Sequence, residues 1–243
     1  MGVRSLVAIL ALTIALIAIL GSRQGWAVFM PGLLEGTRIT VLVALLGSAL
    51  AVLAGLASGL ARLYAPRPIR WLASAYVEIF RGTSALVQLF WLFFVLPQFG
   101  LSLEPFTVAV LGLGLNVGAY GSEVVRGAIL AVPRGQWEAS TALNMTRPQM
   151  LQRIILPQAF IAMVPPWGNL FIELLKSTAL VSLITLGDLA FRAQQMNQTT
   201  MRTIPIFTLV MLIYLAISLM ITIGMRSLEG WLGHGLARGR GAR

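Results

Sequence analysis

The stretch Ile39-Thr-Val-Leu-Val-Ala-Leu-Leu-Gly-Ser-Ala-Leu-Ala-Val-Leu-Ala-Gly-Leu-Ala-Ser-Gly-Leu-Ala61 holds 23 residues without a charge. A helix crossing the hydrocarbon core of a bilayer needs about 20 apolar residues, so this run reads as a membrane span. Within lipid only helices and closed barrels satisfy every backbone polar group. A barrel strand alternates apolar with polar residues, whereas this run is continuously apolar, which leaves the helix. Gly47, Ala51, Gly55 and Gly59 recur at every fourth position. They share one helix face, along which a second backbone can approach closely.

Five more uncharged runs accompany it, at 5–22, 82–103, 105–122, 154–172 and 203–225. The chain therefore reads as an all-α polytopic membrane protein with about six transmembrane helices. The stretch 177–187 is too short to span alone, and either extends the fifth helix or begins a re-entrant segment. The first run, preceded by Arg4, has a length shared by short spans and signal peptides. No small-x-small cleavage site follows Leu20, so a retained helix is expected. Composition agrees: 58% of residues are hydrophobic and 11% charged, against about 25% charged in soluble domains. Three segments follow: an N-terminal helix and linker (1–30), a membrane domain (31–230) and a basic tail (231–243).

A net charge of +10 could signal nucleic acid, but the cations form no patch. They sit at the ends of the apolar runs. With an inward N-terminus and six spans, thirteen fall on one side: Arg4, Arg62, Arg67, Arg70, Arg81, Arg126, Arg134, Arg147, Arg153, Arg226, Arg238, Arg240 and Arg243. Five remain: Arg23, Arg38, Lys176, Arg192 and Arg202. The excess marks the cytoplasmic side and puts the loop 127–153 and the tail there. The chain has no cysteine and one histidine, His234 in the tail, so neither a thiol nucleophile nor a metal site is expected, and no catalytic residue is assigned.

The cytoplasmic stretch 133–157 is longer than a turn requires. It reads as two short helices, the first from Arg134 to about Asn144, a residue that tolerates the left-handed position ending a helix. Thr146 opens the second, with Gln149 three residues on, as in a capping box. Pro148 falls in the first turn, where a missing N–H costs little. Pro157 is expected to bend the chain into the fifth span. Such a hairpin either meets a partner or is a solvated loop.

The spacing Glu138-Ala139-Ser140, three residues, Asn144, nine residues, Ile154-x-Leu156-Pro157 resembles the EAA loop of ABC-importer permeases. Ser140 stands where the family has a third small alanine, and Asn144 where it has glycine. Arg134 and Gly135 open the same loop. The flanking text is similar to that of the polar amino-acid importer family: Glu78-Ile-Phe-Arg81-Gly82-Thr83, then Asn116-Val-Gly-Ala-Tyr120-Gly-Ser-Glu123-Val-Val-Arg126, then Glu173-Leu-Leu-Lys176-Ser177-Thr178. The resemblance covers about residues 32–230, and the fourth- and fifth-span text is closest to ectoine/hydroxyectoine permeases. It implies a five-helix importer core, with residues 5–22 as an addition, in the bacterial inner membrane. It also implies a separate ABC ATPase carrying ATP and Mg, docked on the loop. An identical or sister permease and an extracytoplasmic solute-binding protein would complete the assembly. The lack of a phosphate-cradling G-x-x-x-x-G-K-[ST] in this chain fits that division. A secondary transporter or an uncoupled channel subunit remains the alternative.

Three acid–base pairs share one spacing: Glu78/Arg81, Glu123/Arg126 and Glu173/Lys176. Each is i,i+3, so its two members can neutralise one another on a helix face. The first two lie near cytoplasmic span ends and are expected to be structural pairs. Glu173/Lys176 lies deeper, after an uncharged run. With Asn169, Ser177 and Thr178 it is a candidate solute pathway, since a zwitterionic solute needs both signs of charge. Pro165 and Pro166 are expected to break the helix there, freeing carbonyls toward a cavity. Asn116 and Tyr120 are further pathway candidates. Trp91, Phe93 and Phe94 read as lipid or core packing. Asp188/Arg192, at i,i+4, reads as an outer-surface pair.

Overall fold

A computed structural model describes residues 2–23 and 25–240, with side chains through Leu232. His234, Arg238, Arg240 and Arg243 of the basic tail thus lie outside the described side chains. The described residues are helical and contain no strand. Helix α1 (Val3–Ser22) is followed by α2 (Met30–Tyr64), α3 (Arg67–Gly82) and α4 (Ala85–Phe90). α4 continues as a π turn, Trp91–Val95, and a 3-10 turn, Leu96–Phe99. Next come α5 (Pro105–Leu130), α6 (Arg134–Ala142) and α7 (Arg147–Met150). A second π turn (Leu151–Ile155) leads into α8 (Leu156–Ser177), a 3-10 turn (Thr178–Ile184), α9 (Leu189–Thr200) and α10 (Thr203–Arg240).

Five helical segments are long and apolar enough to span a membrane: Val3–Ser22, Ala27–Tyr64, Pro105–Leu130, Arg147–Ile184 and Thr203–Leu232. The third expected span, 82–103, is not one straight helix. The chain turns by 106° between Arg67–Gly82 and Ala85–Phe99, and counting that bent pair gives six spans. The break falls at Thr83–Ser84, both extended. Gln88 Nε2 bridges it, donating to Phe80 O at 2.9 Å and to Thr83 Oγ1 at 2.7 Å. Asn116 Nδ2 of α5 reaches the same carbonyl at 3.0 Å.

The core forms where α2 lies along α5. The glycine face read from the sequence is the seam: a Cβ on Gly114 would stand 3.0 Å from Gly47 O, and one on Gly55 3.1 Å from Gly118 O. Backbones this close pack without the side-chain layer that holds most helices 8–10 Å apart. Trp167 of α8 covers the seam from one side, touching both Gly55 and Gly121. The central cluster includes Val43, Leu113, Ile129, Ile155, Leu174 and Leu175. A smaller one joins α2, α9 and α10 through Leu33, Leu189, Ile206 and Leu209. α1 rests chiefly on α10, its Ile17 and Leu20 touching that smaller cluster.

One expectation for the fifth span is corrected: Pro165 and Pro166 sit inside α8 without interrupting it. Pro157 does not interrupt the helical segment Arg147–Ile184 either. Its missing N–H is accommodated in the first turn of α8, directly after the wide π turn. The segment 178–184 extends the same helix as a 3-10 turn.

Candidate functional site

The cytoplasmic elbow is built by local chemistry. α6 ends at Ala142, and Asn144 takes φ 52°. Asn144 N–H donates to Thr141 O at 2.9 Å, and Met145 N–H to Ser140 O at 3.1 Å. This pair of bonds is a Schellman motif with asparagine in the usual glycine position. Gln149 Oε1 then accepts Thr146 N–H at 3.0 Å, in the capping box that starts α7. Two helical directions are thus fixed within a few residues, at an exposed corner.

The elbow sorts its residues into two roles. Arg134, Gly135, Glu138, Ala139 and Asn144 are exposed, as is Pro157. Leu143 stands 76% exposed at the tip, a large apolar side chain left bare. Ser140 is buried, and its hydroxyl donates to Gln136 O at 2.6 Å. The small residue is required there because α6 packs back against the π turn. Ile154 and Leu156 join the central cluster with Trp137 and Met150. Gln158 Nε2 ties the base of α8 to Gln136 Oε1 at 3.3 Å.

A charged node lies nearby. Glu123 Oε1 accepts from Arg62 Nη1 at 2.9 Å and from Arg81 Nη1 at 3.0 Å, and Oε2 accepts from Arg126 Nε at 3.2 Å. One carboxylate therefore joins α2, α3 and α5. Of the expected structural pairs, Glu123/Arg126 forms. Glu78/Arg81 does not: Arg81 turns to Glu123 and lies 5.5 Å above the Tyr120 ring, and Glu78 makes no ion pair among the described residues. Arg62, counted above only among the cytoplasmic cations, joins the node through a partner 61 positions away, a pairing that local spacing does not reveal.

The pathway candidates divide likewise. Asn169, Glu173 and Lys176 are all exposed and, at i, i+4 and i+7, share one face of α8. Glu173 and Lys176 form no ion pair with each other, so both charges remain available on a span. Pro165, Asn169, Thr222, Arg226 and Glu229 edge a hollow of about 230 Å³ between α8 and α10. Ser177 is half-buried. Thr178 is fully buried; its hydroxyl donates to Leu175 O at 2.7 Å and lies 3.4 Å from Tyr214 Oη. Asn116 is buried and bonded to Phe80 O and, at 3.1 Å, to Gln88 Oε1. These two residues are internal struts. Tyr120 is partly exposed beneath Arg81.

On the outer side, Asp188 is fully buried and caps α9, its carboxylate accepting from Phe191 N at 2.9 Å and Ala190 N at 3.2 Å. Burial pushes the carboxyl up to about 6. It is not the partner of Arg192, which bonds Glu35 Oε1 at 3.0 Å. No group of three or more metal-ligating side chains occurs among the described residues.

Residues 47–234 match the family described as "Binding-protein-dependent transport system inner membrane component". The chain is 43% identical over 219 residues to a probable amino-acid ABC transporter permease of Sinorhizobium fredii, covering 86% of this chain and 92% of that one. It is 44% identical over 172 residues to the L-cystine transport system permease of Bacillus subtilis, covering 71% and 72%. A solved structure described as an amino acid ABC transporter with histidines superposes with a TM-score of 0.79 at 34% identity, over 84% of this chain and 95% of that one. An elbow outside the bundle, an all-helical membrane body and these matches lead to one assignment: the chain belongs to the binding-protein-dependent transport system inner membrane components, as a multi-pass, non-enzymatic ABC permease subunit of the polar amino-acid importer type.

Proposed function

We propose that this permease passes a small zwitterionic solute inward by alternating access, driven by a separate ATPase that binds ATP and Mg and grips the elbow at 133–157. A second permease, identical or a sister chain, faces the Asn169–Glu173–Lys176 stripe. A charge facing lipid at mid-membrane costs at least about 2.5 kcal/mol, so the stripe needs a wet, protein-lined cavity. An extracytoplasmic binding protein delivers the solute. The observation that carries the reading is continuity: one helical segment runs from Arg147 past Lys176 to Ile184. At 1.5 Å per residue, Arg147 and Lys176 are about 45 Å apart along it. A push on the elbow reaches the stripe through a single rod.

The solute needs a carboxylate for Lys176 and a cationic centre for Glu173. Amino acids meet that description, and the names of the relatives favour them. An ectoine-like compatible solute meets it too, supported by the resemblance of the fourth- and fifth-span text. The test is reconstitution with the ATPase in proteoliposomes, with uptake of labelled amino acids and ectoine. Glu138→Arg is expected to abolish ATPase association and uptake while membrane insertion stays normal. ATP-coupled uptake that survives Glu138→Arg would sink the reading.

A further inference from the structure

Helix α3 divides its surface three ways. Arg67, Arg70, Ser74, Glu78 and Arg81 recur at steps of three and four and occupy one face. A second sector packs on the bundle: Val77 is fully buried, and Tyr76 Oη donates to Leu115 O of α5 at 2.7 Å. The third sector is bare and apolar, with Leu72 63% and Ile79 62% exposed, and Ile69, 50% exposed, borders it in the first turn on the Tyr76 side. Trp71 stands 72% exposed at the border of the charged face.

Direction and level are fixed independently. α4 lies along α5, with Leu89 against Gly112 and Gln88 bonded to Asn116, and therefore takes the direction of a span. α3 is turned 106° from it, so it lies close to the membrane plane. Its C-terminal half meets α5 between Leu115 and Glu123, and Arg81 joins it to the arginine node near the cytoplasmic end of that span. Arg81 is engaged by Glu123, but among the described residues Arg67 and Arg70 make no ion pair; Arg70 donates to Ala65 O at 3.2 Å.

We propose that α3 is an interfacial helix that binds anionic phospholipid in the cytoplasmic leaflet. Ile69, Leu72 and Ile79 enter the acyl boundary, Trp71 sits among the headgroups, and the guanidiniums of Arg67 and Arg70 donate to phosphodiester oxygens. Two cations with no carboxylate bonded to them among the described residues, and with Glu78 about two to three turns away along the face, select an anionic over a zwitterionic headgroup. Lipid then holds the α2–α3–α5 body in register with the membrane surface. None of this depends on which solute is carried.

Because the chain has no cysteine, one nitroxide can be placed on the full-length protein through Leu72→Cys or Ser74→Cys. Both are reconstituted in phosphatidylcholine vesicles containing phosphatidylglycerol. The Leu72→Cys probe is expected to be reached by oxygen far more than by a water-soluble nickel chelate, and the Ser74→Cys probe the reverse. A Leu72→Cys probe reached by neither, or forming a disulfide with another copy, means protein covers the flank and overturns the proposal; equal access to both reagents puts the helix in water and does the same. In a lipid titration, Arg67→Gln with Arg70→Gln is expected to weaken phosphatidylglycerol binding on the order of thirtyfold without changing phosphatidylcholine binding, while lysine at both positions restores it. Equal phosphatidylglycerol affinity in wild type and the double glutamine variant overturns the proposal. If the double variant fails to insert, the single-cysteine probes decide alone.

Discussion

Asn144 holds the elbow by accepting a backbone conformation that most residues resist. Left-handed φ costs an ordinary L-residue about 1–2 kcal/mol, and asparagine less. Asn144→Gly should therefore leave thermal stability equal or slightly raised, and Asn144→Val should lower it by about 1 kcal/mol or more, as read by the unfolding midpoint of the detergent-solubilised protein. Valine equal to glycine would mean that the Schellman turn does not hold the corner. Asp188 gives a pH prediction. Its carboxyl titrates near 6 in the fold against an ordinary 3.8. Between those values the folded chain keeps a proton that the unfolded chain has released, so stability falls as pH rises from about 4 to 6 and levels off above. Asp188→Asn keeps an acceptor for the cap and should flatten the profile; an unchanged slope assigns the pH dependence elsewhere. Such residues also show where sequence reading succeeds. Asn144, Thr146 and Gln149 act within a few positions of one another, so their roles were legible. Arg81 and Asp188 were misread because the choice of Glu123 over Glu78, and of a helix cap over Arg192, depends on how helices cross and where α9 begins.

Among the elements, the α2–α5 seam was legible because the four-residue recurrence of small side chains already defines a face. A Cβ on Gly55 would meet Trp167 at 2.9 Å as well as the Gly118 carbonyl. Gly55→Ala should cost about 1–3 kcal/mol by forcing the helices apart. Gly127→Ala, which meets nothing within 4 Å, should be neutral or stabilising by about 0.5–1 kcal/mol. Comparing the two thermal midpoints checks this, and equal midpoints would show that the seam yields freely. The third span was not legible. Residues 82–103 carry no charge, so hydropathy sees a continuous run. The break at Thr83–Ser84 is held by Gln88 and by Asn116 from a distant helix, and only the folded bundle brings those amides to it.

Across the whole molecule, the bundle reads as a rigid pair, α2 with α5, beside a long rod that joins the elbow to the exposed stripe. The all-helical membrane bundle and the helical elbow could be read before any coordinates. The separation of pathway candidates into an exposed set (Asn169, Glu173, Lys176) and internal struts (Asn116, Thr178) could not, because it depends on which face of each helix the neighbours leave bare.

The π turn at Leu151–Ile155 sets the azimuth of everything beyond it. A five-residue closure inserts one residue into the four-residue ladder, which rotates the downstream helix by about 100° relative to an uninterrupted one. Deleting Gln152 should let the ladder close regularly and swing Asn169, Glu173 and Lys176 more than a quarter of the way round the axis, out of phase with any cavity they line. The elbow would still present Glu138 to its motor. Such a chain should hydrolyse ATP with its partner while moving no solute, an idling machine distinguished from a broken one by measuring hydrolysis and uptake in the same vesicles.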